Sequence, residues 1–252
     1  MTDPAAALPA AYAELQVTSN YSFLRGASHP DELAVAAKAL GLAALGIADR
    51  NSLAGVVRAH VAAKEAGLRL VVGARLVPRD GPEVLCFPTD RAAYGRLCRL
   101  LTLGKRRAEK GACDFSFAEL LDHGIGQVFV VLPPEPLRVD PSCVDPSCVD
   151  HPWASSFHEP YPGADFGRAL VRLAAAFPGA CYLAAQQLYR GDDARRLAAL
   201  AALAEESGAR LVATNDVRMH GPRRKVLLDV LTCIREGCTI CLLYTSPSPR
   251  DA

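Results

Sequence analysis

Two short stretches of the chain place an aspartate where a predicted apolar strand runs out. The first, Leu42 to Gly55, reads LAALGIADRNSLAG and has Asp49 at the end of its apolar part. The second, Arg210 to His220, reads RLVATNDVRMH and has Asp216 in the equivalent place. Barrel-type α/β folds carry their chemistry on side chains at the carboxyl ends of buried strands. The pattern therefore predicts one shared pocket for both carboxylates, although aspartates in such positions equally often cap the helices that follow.

The chain has nine cysteines, and the spacing of three of them resembles a metal motif. Cys233, Cys238 and Cys241 have the C-x4-C-x2-C spacing of plant-type iron–sulfur ligands. A fourth cysteine in the required place is missing, and Cys143 and Cys148 belong to a tandem copy of DPSCV, so their spacing reflects duplication. The sequence therefore predicts reduced thiols in a cytoplasmic protein and neither an iron–sulfur nor a zinc centre.

Two clusters of basic residues stand next to predicted helix ends. The clusters consist of Lys105, Arg106, Arg107 and Lys110, and of Arg223, Arg224 and Lys225. Contact with nucleic-acid phosphates is one interpretation, and a solvated helix face is the other. The formal net charge of the chain is only +1, so a nucleic-acid interface would have to be local.

Apolar periodicity and turn residues predict alternating strands and helices. Thr89 is expected to cap one of these helices, and Ser116 with Glu119 is expected to form a capping box at the next. Strands are expected at residues 14–18, 43–48, 68–77, 83–87, 127–132, 180–185 and 210–214, and helices at 28–40, 53–66, 89–103, 116–124, 165–176, 193–207 and 222–235. About six or seven βα units with short connections predict an α/β fold whose parallel sheet is closed, or nearly closed, into a barrel.

Three segments fall outside this pattern. Residues 1–11 are rich in alanine and proline and are expected to be disordered, and residues 133–162 contain eight prolines and are expected to form an exposed loop. The tail 241–252, CLLYTSPSPRDA, resembles translated adapter sequence and looks foreign to the domain, which we expect to span 12–240. No apolar run reaches the roughly 18 residues that a membrane span needs.

The run from Glu14 to His60 reads ELQVTSNYSFLRGASHPDELAVAAKALGLAALGIADRNSLAGVVRAH. It resembles the amino-terminal polymerase-and-histidinol-phosphatase (PHP) domain of bacterial C-family DNA polymerases, above all of their error-prone, damage-tolerant branch. The segments AYGRLCRLLTLGKRRAEKG and RLVATNDVRMHGPRRKVLLDVLTCIREGCTI extend the resemblance from Tyr12 to Ile240, apart from the proline-rich loop. It implies a distorted (β/α)7 PHP-type barrel, in agreement with the strands predicted above.

Active PHP proteins hold a metal cluster with histidine and carboxylate side chains and hydrolyse phosphoesters with a metal-bound water. The positions that match those ligands or adjoin them are Glu14, Gln16, Thr18, Asp49, Arg50, Arg75, Asp216 and Arg218, with His220 as a displaced neighbour. Glutamine and threonine are weak neutral ligands, and arginine keeps its positive charge. The resemblance therefore implies a vestigial pocket without a catalytic metal. We expect arginines there to pair with Glu14, Asp49 or Asp216.

The resemblance also implies that the chain is a fragment of an error-prone DNA polymerase, active in translesion synthesis, DNA repair and replication. The residues that catalyse nucleotidyl transfer would lie beyond residue 252, and the full-length enzyme would need Mg²⁺. The fragment would need no cofactor and would be a scaffold whose partners are the downstream polymerase domains and, through them, DNA. The alternatives are a stand-alone metal-dependent phosphoesterase with altered ligands, and a non-catalytic DNA-contact module that uses residues 105–110.

Overall fold

The computed structural model of the chain describes residues 11–134, 163–189 and 191–245. Its strands are β1 (Ala13–Val17), β2 (Ala44–Arg50), β3 (Arg69–Leu76), β4 (Val84–Pro88), β5 (Gln127–Val131), β6 (Cys181–Ala185) and β7 (Arg210–Ala213). Its helices are α1 (Pro30–Ala39), α2 (Val56–Ala66), α3 (Arg91–Arg107), α4 (Phe117–Asp122), α5 (Gly163–Ala176), α6 (Asp193–Ser207), α7 (Lys225–Glu236) and α8 (Ile240–Thr245). A 3-10 turn over Pro222–Arg224 precedes α7.

The segments predicted to be irregular fall mostly outside this description. Residues 1–10, 135–162 and 246–252 lie outside the described residues. Residues 240–245, at the start of the predicted foreign tail, form the short helix α8. The assignment of the domain to residues 12–240 stays a prediction.

The seven strands form one sheet in the order β1 to β7. The sheet curls, and its two edges meet where a single parallel bridge joins Val17, the last residue of β1, to Val217, which follows β7. The N–H of Thr18 donates to the Val217 carbonyl at 2.8 Å, and the N–H of Val217 donates to the Gln16 carbonyl at 2.8 Å. The fold is therefore an α/β half-barrel, and the predicted class, a distorted (β/α)7 barrel, is confirmed.

The expectation of a wholly parallel sheet is wrong for β4, which runs antiparallel to both β3 and β5. Only residues 77–83 connect β3 to β4, and a parallel pair needs a crossover of about a dozen residues or more. The short connection therefore reverses the direction of the chain. As a result, Glu83, just before β4, lies at the edge of the sheet where the other strands have their carboxyl ends.

Alternate residues of each strand pack on opposite faces of the sheet. On the inner face, a small apolar cluster contains Leu85, Phe87, Val130 and Ala184. On the outer face, the largest cluster packs helices α3 to α6 against β3 to β6, and a further cluster packs α1 and α2 against β1 and β2. The polar residues at the carboxyl edge thus lie above a filled core.

The helix starts show two corrections and one confirmation. Helix α2 begins at Val56, three residues later than predicted. The side chain of Asp90, and not Thr89, caps α3, because its Oδ1 accepts from the N–H of Ala93 at 2.7 Å. The capping box predicted at α4 is confirmed, since the N–H of Ser116 donates to Glu119 Oε2 at 2.9 Å.

Gly26, in the loop after β1, and Gly95, in α3, provide a matched pair of glycine substitutions. A Cβ atom at Gly26 would lie 2.2 Å from the backbone oxygen of Ser19, so Gly26→Ala should lower the free energy of unfolding by about 1–3 kcal/mol. A Cβ atom at Gly95 would have nothing within 4 Å, so Gly95→Ala should raise it by about 0.5–1 kcal/mol, because glycine in a helix costs conformational entropy. Urea unfolding measures both, and equal shifts would contradict the close approach in the loop.

Candidate functional site

A network of arginine–carboxylate ion pairs occupies the carboxyl edge of the sheet. Asp216, after β7, accepts hydrogen bonds from Arg75 at 3.0 Å and from Nε and Nη2 of Arg218 at 3.0 and 2.6 Å. Glu83 accepts from Arg75 Nε and from Arg50 Nη1, each at 2.7 Å. Arg75 therefore bridges the two carboxylates, and the network joins the ends of β2, β3, β4 and β7.

The charges in this network control one another's protonation. Burial on its own raises the pKa of Glu83, but Arg75 and Arg50 outweigh burial and lower the pKa below its usual value. Burial likewise raises the pKa of Asp216, and Arg218 and Arg75 reverse the direction. For Arg75 burial lowers the pKa, and Glu83 and Asp216 bring it above its usual value. Glu83, Asp216 and Arg75 therefore all favour their charged forms.

Asp49 is held by serine residues and not by an arginine. Its side chain is buried, and Oδ1 accepts from the N–H of Ser19 at 2.8 Å and from the hydroxyl of Ser22 at 2.7 Å. Its Oδ2 accepts from the hydroxyl of Ser19 at 2.8 Å. Burial raises the pKa of Asp49, and these hydrogen bonds oppose the rise. Of the three carboxylates named as possible partners of arginines, Asp216 has them, whereas Asp49 has none among the described residues, since Arg50 next to it turns to Glu83.

Strand β1 contributes two buried polar side chains that have different surroundings. Glu14 accepts from the hydroxyl of Tyr12 at 2.8 Å and from the N–H of Gln16 at 2.8 Å. Gln16 Nε2 donates to Asp216 at 3.0 Å, and its Oε1 accepts from Gln186 at 2.8 Å. Gln16 therefore belongs to the ion-pair network, whereas Glu14 has no arginine partner among the described residues.

The helix-cap interpretation of the two aspartates is wrong. Helix α2 follows Gly55 and has no side-chain cap, and α7 follows Arg224 in the same way. Asp216 itself has a positive φ of 48°, a conformation that aspartate tolerates better than most residues. Both carboxylates therefore bind side chains and backbone groups at the carboxyl edge of the sheet and do not cap the helix that follows.

Sequence reasoning missed Glu83, Gln186, Ser19 and Ser22. A parallel β4 would put Glu83 at the opposite edge of the sheet, so its role became visible only with the reversed strand. The available signal was the seven-residue connection 77–83, which is too short for a parallel crossover. The serines follow β1 in sequence, and no spacing rule distinguishes them from ordinary turn residues.

His220 and the predicted basic clusters lie outside the network. His220 Nδ1 is 2.9 Å from the hydroxyl of Ser28 and 3.8 Å from Glu32. Three members of the clusters have acidic partners, namely Arg107 with Glu119, Arg224 with Glu32, and Lys225 with Asp229. The other members, Lys105, Arg106, Lys110 and Arg223, are exposed. Contact of these clusters with nucleic acid stays a prediction.

The described residues contain neither a cluster of metal ligands nor a membrane-spanning helix. In those ranges no group of three or more His, Cys, Asp or Glu side chains is arranged to hold a metal ion. Cys233 is buried in α7, and Cys241 lies exposed in α8. Burial raises the pKa of the Cys181 thiol to about 12. Separately, none of the described helices combines the length and the apolar composition that a membrane span requires.

Comparison with known proteins finds a domain and several relatives that match parts of the chain. Residues 14–125 match the PHP domain. It is 49% identical over 233 residues to an error-prone DNA polymerase of Caulobacter vibrioides, and 45% identical over 229 residues to error-prone DNA polymerase 1 of Agrobacterium fabrum. The alignments cover 92% and 91% of this chain. The chain spans only 19% of the length of either relative.

Two solved structures share the fold. A protein described as a metal-dependent phosphoesterase from Bifidobacterium adolescentis has a TM-score of 0.56 and 16% identity, over 84% of this chain and 89% of that one. An amidohydrolase from Chromobacterium violaceum, with bound sulfate and no metal, has a TM-score of 0.55 and 15% identity over the same shares. At such identities the likeness establishes the fold alone.

Glu83 and Asp114 allow the site network to be compared with an ordinary surface ion pair. Glu83→Gln should lower the free energy of unfolding by about 2–3 kcal/mol, because it removes the partner of two arginines; a fully buried pair would give about 3–5 kcal/mol, and the Glu83 side chain is 33% exposed. Asp114→Asn breaks the pair with Arg79, in which the arginine and aspartate side chains are 54% and 46% exposed; it should cost much less, because exposed ion pairs contribute little to stability. Urea unfolding at pH 7 distinguishes the two.

Acid provides the control for this prediction. Because the pKa of Glu83 is lowered in the fold, its ion pairs stabilise fully above the unfolded-state value of about 4.3. That contribution is lost as the pH falls through the folded-state value. The difference in unfolding free energy between Glu83→Gln and the unsubstituted chain should therefore shrink below about pH 4. A constant difference between pH 7 and pH 3 would show that charge is not the cause.

Proposed function

We propose that this chain is the amino-terminal PHP domain of an error-prone DNA polymerase that works in translesion synthesis, and that it is a scaffold that needs no metal. The observation that carries the proposal is the ion-pair network of Arg50, Arg75 and Arg218 with Glu83 and Asp216. It occupies the strand ends at which PHP enzymes hold their metals. The polymerase assignment is supported by the names of the relatives, which are about five times as long as this chain.

The residues at this edge do not fit a divalent cation. Asp216 is already balanced by two arginines, and Asp49 already accepts three hydrogen bonds from serines. Gln16 and Thr18, in the positions of two histidine ligands, are neutral and bind metals weakly. A cation would have to break charged hydrogen bonds and sit beside guanidinium groups that do not deprotonate. The donor set therefore favours a protein without a catalytic metal.

Helix α7 supports the scaffold role. Its exposed residues Val226, Val230 and Ile234 are 68%, 42% and 60% exposed and follow one another at four-residue spacing, which puts them on one face of the helix. Among the twelve residues of the helix, only Cys233 is buried. A contiguous apolar face of this kind is typical of a surface that another protein part covers. We assign the downstream polymerase domains as that part.

The stand-alone phosphoesterase is the second candidate, because a phosphoesterase shares the fold. Hydrolysis by that class needs a metal-bound water, and the arginines at the strand ends oppose metal binding. The DNA-contact module that uses residues 105–110 receives less support, since Arg107 is paired with Glu119. Salt-dependent binding of DNA by the chain would favour that module over a scaffold.

Metal titration tests the scaffold proposal directly. We expect the chain to bind neither Mn²⁺ nor Zn²⁺ at micromolar concentration in calorimetry and to leave p-nitrophenyl phosphate intact, because ion pairs occupy the place of the metals. The double variant Arg75→Glu with Arg218→His should gain affinity for Mn²⁺, since it restores two ligand types.

The double variant Arg79→Glu with Arg223→His introduces the same residues at exposed positions and should gain nothing. Stoichiometric, submicromolar binding by the unsubstituted chain, together with hydrolysis, would refute the scaffold and favour the phosphoesterase.

The gene offers an independent test of the polymerase assignment. Sequencing beyond codon 240 should reveal an open reading frame that continues into a palm domain with paired carboxylates, because nucleotidyl transfer by two metals requires them. A natural stop codon soon after codon 240 would overturn the assignment and leave a stand-alone domain.

A further inference from the structure

The ion-pair network borders a small cavity that is unusually rich in arginine. The cavity has a volume of about 60 Å³ and is lined by Thr18, Arg25, Arg50, Arg75, Glu83 and Arg218. A water molecule needs at least about 10–15 Å³ of such space, so the cavity has room for about four to six waters. That is the size of a group with five heavy atoms, such as a phosphate.

Arg25 is the residue in this cavity that the ion-pair network does not explain. Among the described residues, its guanidinium has no carboxylate within ion-pair distance and no hydrogen-bond acceptor. Burial and the positive charges of Arg50 and Arg235 lower the pKa of Arg25 to about 10. The fold therefore holds this cation in an unfavourable place, facing three other arginines.

The other arginines of the cavity also have N–H groups to spare. Each guanidinium has five N–H donors, whereas Arg50 makes one bond to Glu83, and Arg75 and Arg218 make two each to the carboxylates. None of the remaining nitrogens of these side chains is both fully buried and without a partner. The unused donors are therefore open to a ligand that enters from solvent.

Cations outnumber carboxylates around the cavity. Glu83 lines it, and Asp216 lies behind Arg75 and Arg218. The enclosed carboxylate of Asp49 adds a third negative charge on the same edge, against four guanidinium groups. Arg235 contributes a further positive field at Arg25. A surplus of positive charge with unused donors is the arrangement that binds oxyanions.

We propose that this cavity binds a phosphate group, either as inorganic phosphate or as the terminal phosphate of a nucleotide strand. Arginine presents paired N–H groups that match two oxygens of a phosphate. A tetrahedral phosphate can also accept hydrogen bonds from several directions at once, and four arginine side chains line this cavity. Arg25 supplies the charge that the protein leaves unbalanced, and Thr18 lines the same cavity. The site needs no metal and thus goes beyond the scaffold role.

Phosphate binding is tested with the full chain in chloride buffer at fixed ionic strength, with EDTA present to exclude binding through a metal. Inorganic phosphate is titrated by calorimetry, and its ³¹P resonance is followed. We expect saturable binding, and Arg25→Gln should weaken it at least about 10-fold, because a charged hydrogen-bonding partner is lost. Arg58→Gln removes the same charge from an exposed position on α2 and should leave the affinity unchanged.

Stability separates loss of the site from loss of the fold. Since the fold disfavours the charge of Arg25, Arg25→Gln should unfold at the same temperature as the unsubstituted chain or higher. Phosphate should raise the unfolding temperature of the unsubstituted chain and of Arg58→Gln, but not that of Arg25→Gln. The variant Arg25→Lys keeps the charge without the paired donors and should bind with intermediate affinity.

The source of the phosphate is identified by competition. An oligonucleotide with a 5′-phosphate that displaces inorganic phosphate, when its 5′-hydroxyl counterpart does not, assigns the site to a strand terminus. If neither oligonucleotide displaces inorganic phosphate, the site is assigned to free phosphate. Absence of saturable binding, equal affinity in Arg25→Gln, or equal weakening by Arg58→Gln would each overturn the proposal. These outcomes are independent of the metal titration, because EDTA is present throughout.

Discussion

The structure depends on how it balances two carboxylates that stand at the carboxyl edge of a curled sheet. Asp216 and Glu83 come from elements far apart in sequence, and Arg75 reaches both. Without Arg75, Glu83 would keep only Arg50 and Asp216 would keep only Arg218, and no side chain would link the two carboxylates. Losing one member of a partly buried pair costs more than the pair contributes, because the remaining charge is left without compensation. The ion pairs are therefore coupled, and they hold four strand ends together.

The same edge is where the half-barrel closes. In addition to the bridge between Val17 and Val217, two hydrogen bonds cross this closure. Gln16 donates to Asp216, and the N–H of Ala27 donates to the carbonyl of Arg218 at 2.8 Å. These contacts fasten the loop after β1 to the segment after β7. That loop also carries the serines that enclose Asp49. Closure of the sheet and balance of charge thus come from the same few residues.

The fold class and the positions of Asp49, Asp216 and Arg75 could be predicted from the sequence, because apolar strands with polar ends and a resemblance to a known family indicate them. The hydrogen-bond and ion-pair partners of these residues could not be predicted. Glu83 depends on the direction of β4, which is decided by a connection too short for a crossover. The choice of Asp49 between serine and arginine depends on where the backbone of the β1 loop passes. The direction of β4 and the path of the loop after β1 depend on tertiary structure, and the spacing of residues in the sequence does not determine them.

The proposed function has arginines in place of metals, and the two kinds of group support different chemistry. A metal ion exchanges with solvent and can lower the pKa of a bound water to near neutrality, whereas a guanidinium is covalently fixed and supplies only N–H donors. If the proposed scaffold role holds, the pocket has no hydrolytic activity and keeps its attraction for negative charge. The charges in the pocket are also unequal, because Arg25 adds a cation that has no carboxylate partner among the described residues. The physical consequence is a strand edge that stabilises the fold through Arg75 and remains attractive to an oxyanion through Arg25.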